Sequence, residues 1–514
     1  MDGDGGGTAE MGTARRRRSG GGAARRAERT AVRIDRARPV ERRLPVIDIL
    51  SVEAAEAIEA DAETVLAEVG VAFPDNPGAL DRWREAGAEI SGERVHLPRG
   101  LARRLCATAP AGFTQIARNP ERTVTIGRDT MVLAPVYGPP FVRDANGRRY
   151  GTIEDFRDLV RLGHMSPWLH HSGGTLCEPT DLPVATRHLD MLMAHATLTD
   201  RPFMGSVTDP SRARDSIEFC DVLLGGLEDR TALVSLINVN SPLTFDAVMM
   251  GALEAYAEAN QACIVSPFIV GGAMAPVTVA GTLVQVLAEV MAGVAYSQLV
   301  RPGAPVVFGA FVASIDMRSG APAFGAPEAS QILMGAGQLA RRMGLPFRSG
   351  GALTGSKTPD AQAAYESANT LQAAVMGGVN FMLHSCGWLE GGLVASREKF
   401  VLDADQLGAI SRLAGGIDAS EAARAVETIR DVGPGGHYLG TDHTREWHER
   451  AFWRSDVADH RTFEAWHEAG EPDAPTLAAD RARRLLKAHE APPLDPGIAE
   501  ALEAFVARRR EALA

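Results

Sequence analysis

The feature that most constrains the fold is an alternation of short, apolar, β-branched-rich runs with longer helical patterns, repeated eight times from about residue 130. The runs lie at 131–137, 168–172, 203–208, 233–238, 263–268, 306–311, 346–349 and 380–385. The helical patterns that follow them span 152–163, 183–199, 211–225, 244–259, 277–300, 326–343, 358–376 and 404–414. Strands buried on both faces read as continuous apolar runs, so eight such units predict an α/β fold of the (β/α)8, or TIM, barrel type. Helix-start signals occur where this scheme needs them: Thr152 with Asp155 three residues on, Asp209-Pro210-Ser211, Ser241-Pro242 and Thr358-Pro359-Asp360. An open doubly wound sheet is the rival, but no glycine fingerprint stands at a first strand–helix turn. Nor is the stretch from Gly350 to Lys357 a phosphate loop, because the lysine does not directly follow Gly355.

Around this barrel, placed at 130–415, the sequence predicts an N-terminal helical cap over 46–129 and a C-terminal helical cap over 416–514. Residues 1–45 form an Arg/Gly-rich arm, expected to be disordered. The arm holds twelve Arg against six acids, which turns the total formal charge of −12 into −18 on the remainder. An acidic body repels phosphate backbones, so no nucleic-acid partner is expected; one acting through the arm would bind with strong salt dependence. The five cysteines are odd in number and form no C-x-x-C pair, which fits free thiols in the cytoplasm. Arg15 to Arg18 are followed by Gly, Ala and more Arg, not by the apolar stretch an export signal needs. Residues 277–300 are apolar enough to suggest a membrane span. Thr278, Thr282, Gln285, Glu289 and Tyr296, however, draw a polar stripe down one helix face, which suits a packed barrel helix better, and no membrane role is expected.

Active sites of such barrels lie at the carboxyl ends of the strands. That rule alone selects Tyr137, Ser266, Phe268, Phe311, Asp316, Arg348, Ser349, His384, Ser385 and Trp388 among others, although polar groups there also serve simply to satisfy loop backbone. Three connections, 138–151, 312–325 and 387–396, are long enough to act as lids. Small residues beside them, Gly350, Gly351, Ser385 and Gly387, permit close approach of a large flat ligand or a partner backbone, or else merely make the turns. No metal site is expected. His170 and His171 are strand neighbours pointing to opposite faces, His443 and His448 miss the spacing of a helical pair, and His384 with Cys386 lacks a third ligand.

Four stretches carry a resemblance that composition does not supply. They are Gly151-Thr-Ile-Glu-Asp-Phe, Ser314-Ile-Asp-Met-Arg-Ser-Gly-Ala-Pro-Ala-Phe-Gly-Ala-Pro-Glu, Gly350-Gly-Ala-Leu-Thr-Gly-Ser-Lys-Thr-Pro-Asp-Ala-Gln-Ala-Ala-Tyr-Glu and Gly436-His-Tyr-Leu-Gly-Thr-Asp-His-Thr. In order and spacing, from about residue 45 to 480, the chain resembles the trimethylamine methyltransferase family. The resemblance implies a barrel enzyme that presents a methylated amine to the Co(I) of a corrinoid (cobalamin) carried by a separate small protein. Archaeal members that use trimethylamine carry pyrrolysine in the barrel, whereas this chain has only standard residues. A quaternary ammonium already bears its charge and leaves as a neutral tertiary amine, so the expected donor is a betaine or another quaternary amine.

Such a donor calls for aromatic faces around the cation and a cationic clamp on its carboxylate. Arg348 and His384 are the candidates for the carboxylate end, and Tyr137, Phe311 and Trp388 for the aromatic faces. Gly350, Gly351, Ser385 and Gly387 are expected to face the corrinoid. No catalytic nucleophile is assigned to the chain, because Co(I) supplies the electron pair. Asp316 and Glu328 read as loop and helix-start anchors, and a homo-oligomer is expected. The alternatives are demethylation of trimethylamine itself, a zinc-dependent barrel enzyme, and a non-catalytic betaine-binding protein.

Overall fold

The barrel strands are runs of Val, Ile, Leu and Phe with almost no exposed position, as strands covered on both faces must be. The computed structural model describes residues 40–513, so the expected arm lies almost wholly outside the described residues. Seven strands carry the ladder: β1 (Thr130–Leu133), β2 (Phe203–Met204), β3 (Leu233–Val239), β4 (Ala262–Gly271), β5 (Val306–Gly309), β6 (Phe347–Gly350) and β7 (Phe381–Leu383). Each pairs in parallel with its neighbour from β2 through β7, and β7 returns to β1 through Phe381 opposite Val132.

The run at 168–172 forms no ladder, and the reason is chemical. The amides of His170 and His171 both donate to the Leu133 carbonyl, at 3.1 and 3.2 Å, while the Leu133 amide donates to the His170 imidazole Nδ1 at 3.0 Å instead of to a backbone oxygen. On the other side Ser172 donates to Pro202 O and Met204 to Gly173 O, both at 2.9 Å. Residues 170–173 thus bridge β1 and β2 and close the ring, with a histidine side chain standing in for a carbonyl.

Eight helices follow the eight barrel positions: α1 (Ile153–Met165), α2 (Arg187–Leu198), α3 (Pro210–Leu224), α4 (Ala247–Glu258), α5 (Val279–Val300), α6 (Pro327–Met343), α7 (Ala361–Met376) and α8 (Arg397–Ala414). Thr152 and Asp155 form the expected reciprocal cap of α1, and Asp209 and Asp360 cap α3 and α7. Ser241-Pro242 does not open α4, whose cap is Asp246. Ser241 Oγ donates instead to Glu289 of α5 at 2.6 Å, and the Leu243 amide to the same carboxylate at 2.8 Å. The polar stripe of α5 is therefore buried and used: Thr282 and Gln285 donate to the carbonyls of Pro276 and Met274. By length and composition α5 could cross a membrane, yet most of it is buried inside the protein. Helix α8 starts seven residues before the expected 404: Ser396 caps it by accepting the Lys399 amide, and Lys399 and Asp403 lie on its buried face.

The N-terminal segment is helical only in part. Besides helices Val52–Thr64, Pro77–Glu85 and Leu101–Cys106 it forms a hairpin, Gly112–Gln115 with Val124–Gly127. Gln115 Nε2 donates to Phe203 O and Ala232 O at 3.0 Å, which fixes the hairpin under the amino ends of β2 and β3. Its Val124 and Ile126 join Val132, Val234, Ile264, Val307 and Phe381 in the barrel interior, so the bottom is plugged and the core is packed. The C-terminal segment is helical, and Pro496–Leu513 ties to α3 through Phe505 on Phe219 and Arg509 on Asp215 at 2.6 Å.

Candidate functional site at the barrel mouth

The plugged bottom leaves the carboxyl ends of the strands, and there the fold assembles all five side chains selected from the sequence. Arg348 is the second residue of β6, Phe311 follows β5, His384 and Trp388 follow β7, and Tyr137 lies beyond the end of β1. The connection 312–325 is an ordered hairpin. Phe311–Ile315 runs parallel to the end of β4, and Pro322–Ala323 returns antiparallel to it, so that Phe311 and Phe324 bracket the hairpin. Asp316 anchors its tip by accepting from the amide and guanidinium of Arg318, and Glu328 lies in the first turn of α6, as the sequence predicts for both.

Arg348 is the electrostatic anomaly. Its side chain is 1% exposed. Nη1 donates to Ser266 Oγ at 3.1 Å and to Ala310 O at 3.5 Å, while Nε and Nη2 have no partner among the described residues. No carboxylate among the described residues pairs with it. Burial pushes its pKa down to about 9, opposed by the nearby Tyr137 phenol. The two free groups share one edge of the planar guanidinium, the edge that takes a carboxylate with two parallel hydrogen bonds. A buried charge left this way is costly unless something else completes it.

An aromatic cluster lies beside the guanidinium. The Arg348 guanidinium carbon lies 5.2 Å from the centre of the Phe311 ring. Ring centres are 4.8 Å apart for Phe311 and His384, 6.0 Å for Phe311 and Trp388, and 5.7 Å for His384 and Trp388. Phe268 stacks on Phe311 from the rim at 5.6 Å, and Tyr137 meets His384 edge-on at 6.5 Å. Phe324 completes the group, 4.9 Å from Trp388 and 5.1 Å from Phe311. It is not among the side chains selected from the sequence, although it lies in the stretch from Ser314 to Glu328 that carries the family resemblance. His384 is buried, with Nδ1 unpaired and its backbone at φ 56°, and burial followed by the Arg348 charge holds its pKa well below the ordinary value. The imidazole is therefore neutral. Burial pushes the Tyr137 phenol up to about 12.

The four small residues expected to face a corrinoid are buried, and the chain itself uses the room they leave. A Cβ on Gly350 would stand 2.7 Å from Leu353, one on Gly351 2.8 Å from the Ser385 backbone, and one on Gly387 3.0 Å from Phe400. Ser385 Oγ donates to Ala134 O at 2.7 Å. Exposed apolar groups near the end of β4 and on the connections that follow β4 and β5 include Phe268, Val277 and Met317. Among the described residues no three His, Cys, Asp or Glu side chains converge as metal ligands would. His170 and His171 are engaged by Leu133 and Gly173. All five cysteines are free and buried.

Fold and site define a (β/α)8 barrel whose mouth pairs an uncompensated cation with an aromatic cluster. The chain belongs to the trimethylamine methyltransferase family, whose model matches residues 18–514. It is 41% identical to a glycine betaine methyltransferase of Desulfitobacterium hafniense (strain Y51), over 91% of this chain and 98% of that protein. A proline betaine:corrinoid methyltransferase of Eubacterium limosum is 29% identical over 75% of this chain and 82% of its own length. Trimethylamine methyltransferase MttB of Methanosarcina barkeri is 26% identical over 90% of this chain and 94% of its own.

Proposed function

We propose that this protein transfers a methyl group from a quaternary ammonium carboxylate, with glycine betaine as the leading candidate, to a corrinoid protein. The observation that carries the reading is the buried Arg348, with its bidentate edge open and no acidic partner among the described residues, set against Phe311. A betaine supplies both missing groups: its carboxylate completes the guanidinium, and its methylated cation meets the faces of Phe311, Phe324 and Trp388. Trimethylamine offers no carboxylate and leaves Arg348 uncompensated, which disfavours that reading. The relative names point the same way, two of the three carrying betaines.

The residues at the mouth bind and orient the donor. Neutral His384 and protonated Tyr137 add no charge that would compete with the cation, and the buried cluster keeps water from the reacting carbon. Because the rings lie in mutual contact, the hairpin carrying Phe311 and Phe324 must shift to admit a ligand. The chain needs no nucleophile of its own, since a reduced corrinoid supplies the electron pair that takes the methyl group. The N–CH3 electron pair stays on nitrogen, and a tertiary amine departs without a proton. Purified protein mixed with a reduced corrinoid protein and glycine betaine should change the cobalt absorbance and release dimethylglycine. Silence across a panel of quaternary amines would remove the reading, and tight betaine binding without transfer would favour a binding protein.

Self-association belongs to the same proposal. The C-terminal segment exposes Ile417, Ile429, Leu439, Phe452 and Phe463, side chains that a second copy would cover. Light scattering should then report a multiple of the 54.6 kDa chain mass. A mass of one chain at micromolar concentration would rule it out.

A further inference from the structure

Next to the turn that carries His384 and Trp388 lies a fully buried ion pair. Lys399 and Asp403 stand four residues apart on α8, with side chains 2% and 4% exposed. Lys399 Nζ lies 2.6 Å from Asp403 Oδ2 and also donates to Ser367 Oγ of α7 at 2.8 Å. Asp403 Oδ2 in turn accepts the backbone amide of Gly387 at 2.9 Å. That amide belongs to the turn, between His384 and Trp388 in the chain.

The turn needs holding. His384 is at φ 56° and Gly387 at φ 86°, so within four residues the backbone enters the left-handed region twice, once with a β-carbon that disfavours it. The near end is tied down by His384 N on Pro135 O and by Ser385 on Ala134 O. At the far end the Gly387 amide has the Asp403 carboxylate, while Phe400, one residue after Lys399, fills the space a Gly387 side chain would need. Three α8 positions, 399, 400 and 403, therefore bear on one turn.

We propose that Lys399 and Asp403 are positioning residues that fix the 384–388 turn, and with it the His384 and Trp388 rings, in the geometry that receives the methylated cation. The proposal rests on the reading of the mouth as a betaine site. A pair that served only to join α8 to α7 would be met by Lys399 on Ser367; the Gly387 hydrogen bond adds a direct hold on the ligand-bearing turn. Lys399 sets the ionisation and orientation of the carboxylate, and the carboxylate sets the turn.

Two neutral double variants separate this role from stability, since each removes both charges and leaves no orphan ion in the core. Lys399→Met with Asp403→Asn keeps an oxygen for the Gly387 amide. Lys399→Met with Asp403→Leu keeps the volume and removes the acceptor. Hydrogen exchange measured on the full chain without ligand should be at least tenfold faster over 384–388 in the Leu double than in the Asn double, with other peptides alike. The Kd for glycine betaine should weaken about tenfold in the same comparison. Equal exchange in the two doubles overturns the hold on the turn, whatever the betaine result. Unequal exchange with equal betaine affinity overturns the link to the ligand. A wild-type protein that binds no betaine brings down the proposed function, while the exchange comparison still decides the hold.

Discussion

Replacing Arg348 by Met should weaken glycine betaine binding by roughly 100-fold or more and at the same time make the free protein more stable. The two effects have one origin. In the unliganded protein the guanidinium is buried, bonded through Nη1 alone and without a counter-ion, so its charge costs free energy that a methionine of similar reach does not. Replacing even a buried ion pair by packed apolar side chains is neutral or stabilising by about 1–4 kcal/mol, and a charge without its partner has less to lose. With a carboxylate on the Nε and Nη2 edge the balance reverses, because losing one member of a buried charged pair costs about 2–5 kcal/mol. Tetramethylammonium has no carboxylate and is repelled by Arg348, so its affinity should hold or improve in the variant. Calorimetric titration of both ligands and a thermal melt test the set. Equal weakening for betaine and tetramethylammonium would show that Arg348 clamps nothing.

The second large effect is a loss of stability in mild acid. Burial holds the imidazoles of His164 and His195 at about 4, and those of His171 and His384 well below their ordinary 6.5. The unfolded chain takes up these protons first, so the stabilisation is complete above pH 6.5 and is lost progressively as pH falls toward the folded value. Between pH 7 and 4.5 each of the two groups near 4 withdraws about 2.5 kcal/mol, together about 5 kcal/mol against a typical total of 5–15. Carboxyls pushed up by burial, such as Asp405 and Glu289, act in the opposite sense and offset part of this. His195 isolates the contribution. Its ring bonds Ser172 Oγ at 2.7 Å and Gly174 O at 3.0 Å and stacks on Phe203. His195→Asn should be less stable at pH 7. Its loss between pH 6.5 and 4 should be shallower by up to about 1.4 kcal/mol per pH unit. Urea titrations across that range read the slope, and an unchanged slope would mean His195 does not titrate with unfolding.

Much of the architecture is legible in the amino-acid order because parallel strands under helices must be apolar on both faces, and such runs stand out. The exceptions are positions where a polar side chain does the work of backbone or core. His170 replaces a carbonyl in the ring, so the second barrel position has no ladder although its segment reads as a strand. Lys399 and Asp403 precede the helix expected from 404, yet they pair inside the protein, and α8 begins before them. Glu289 is visible as part of a stripe, but its partners, Ser241 and the Leu243 amide, come from a loop nearly fifty residues earlier.

The site divides along the same line. That Tyr137, Phe311, Arg348, His384 and Trp388 would share one end of the barrel follows from strand direction alone, and the family resemblance follows from ordered motifs. Whether a missing side chain makes room for a partner or for the chain itself does not follow, and at Gly350, Gly351 and Gly387 the occupants are Leu353, Ser385 and Phe400. That no carboxylate among the described residues pairs with Arg348 is likewise a property of space, which only the packed structure shows. Sequence by itself determined the barrel, its family and the end at which a ligand site is expected, because periodicity and strand polarity are local and directional. Tertiary structure alone decided which charge is left open and which is closed, since compensation of a buried charge depends on neighbours that the fold brings from anywhere in the chain.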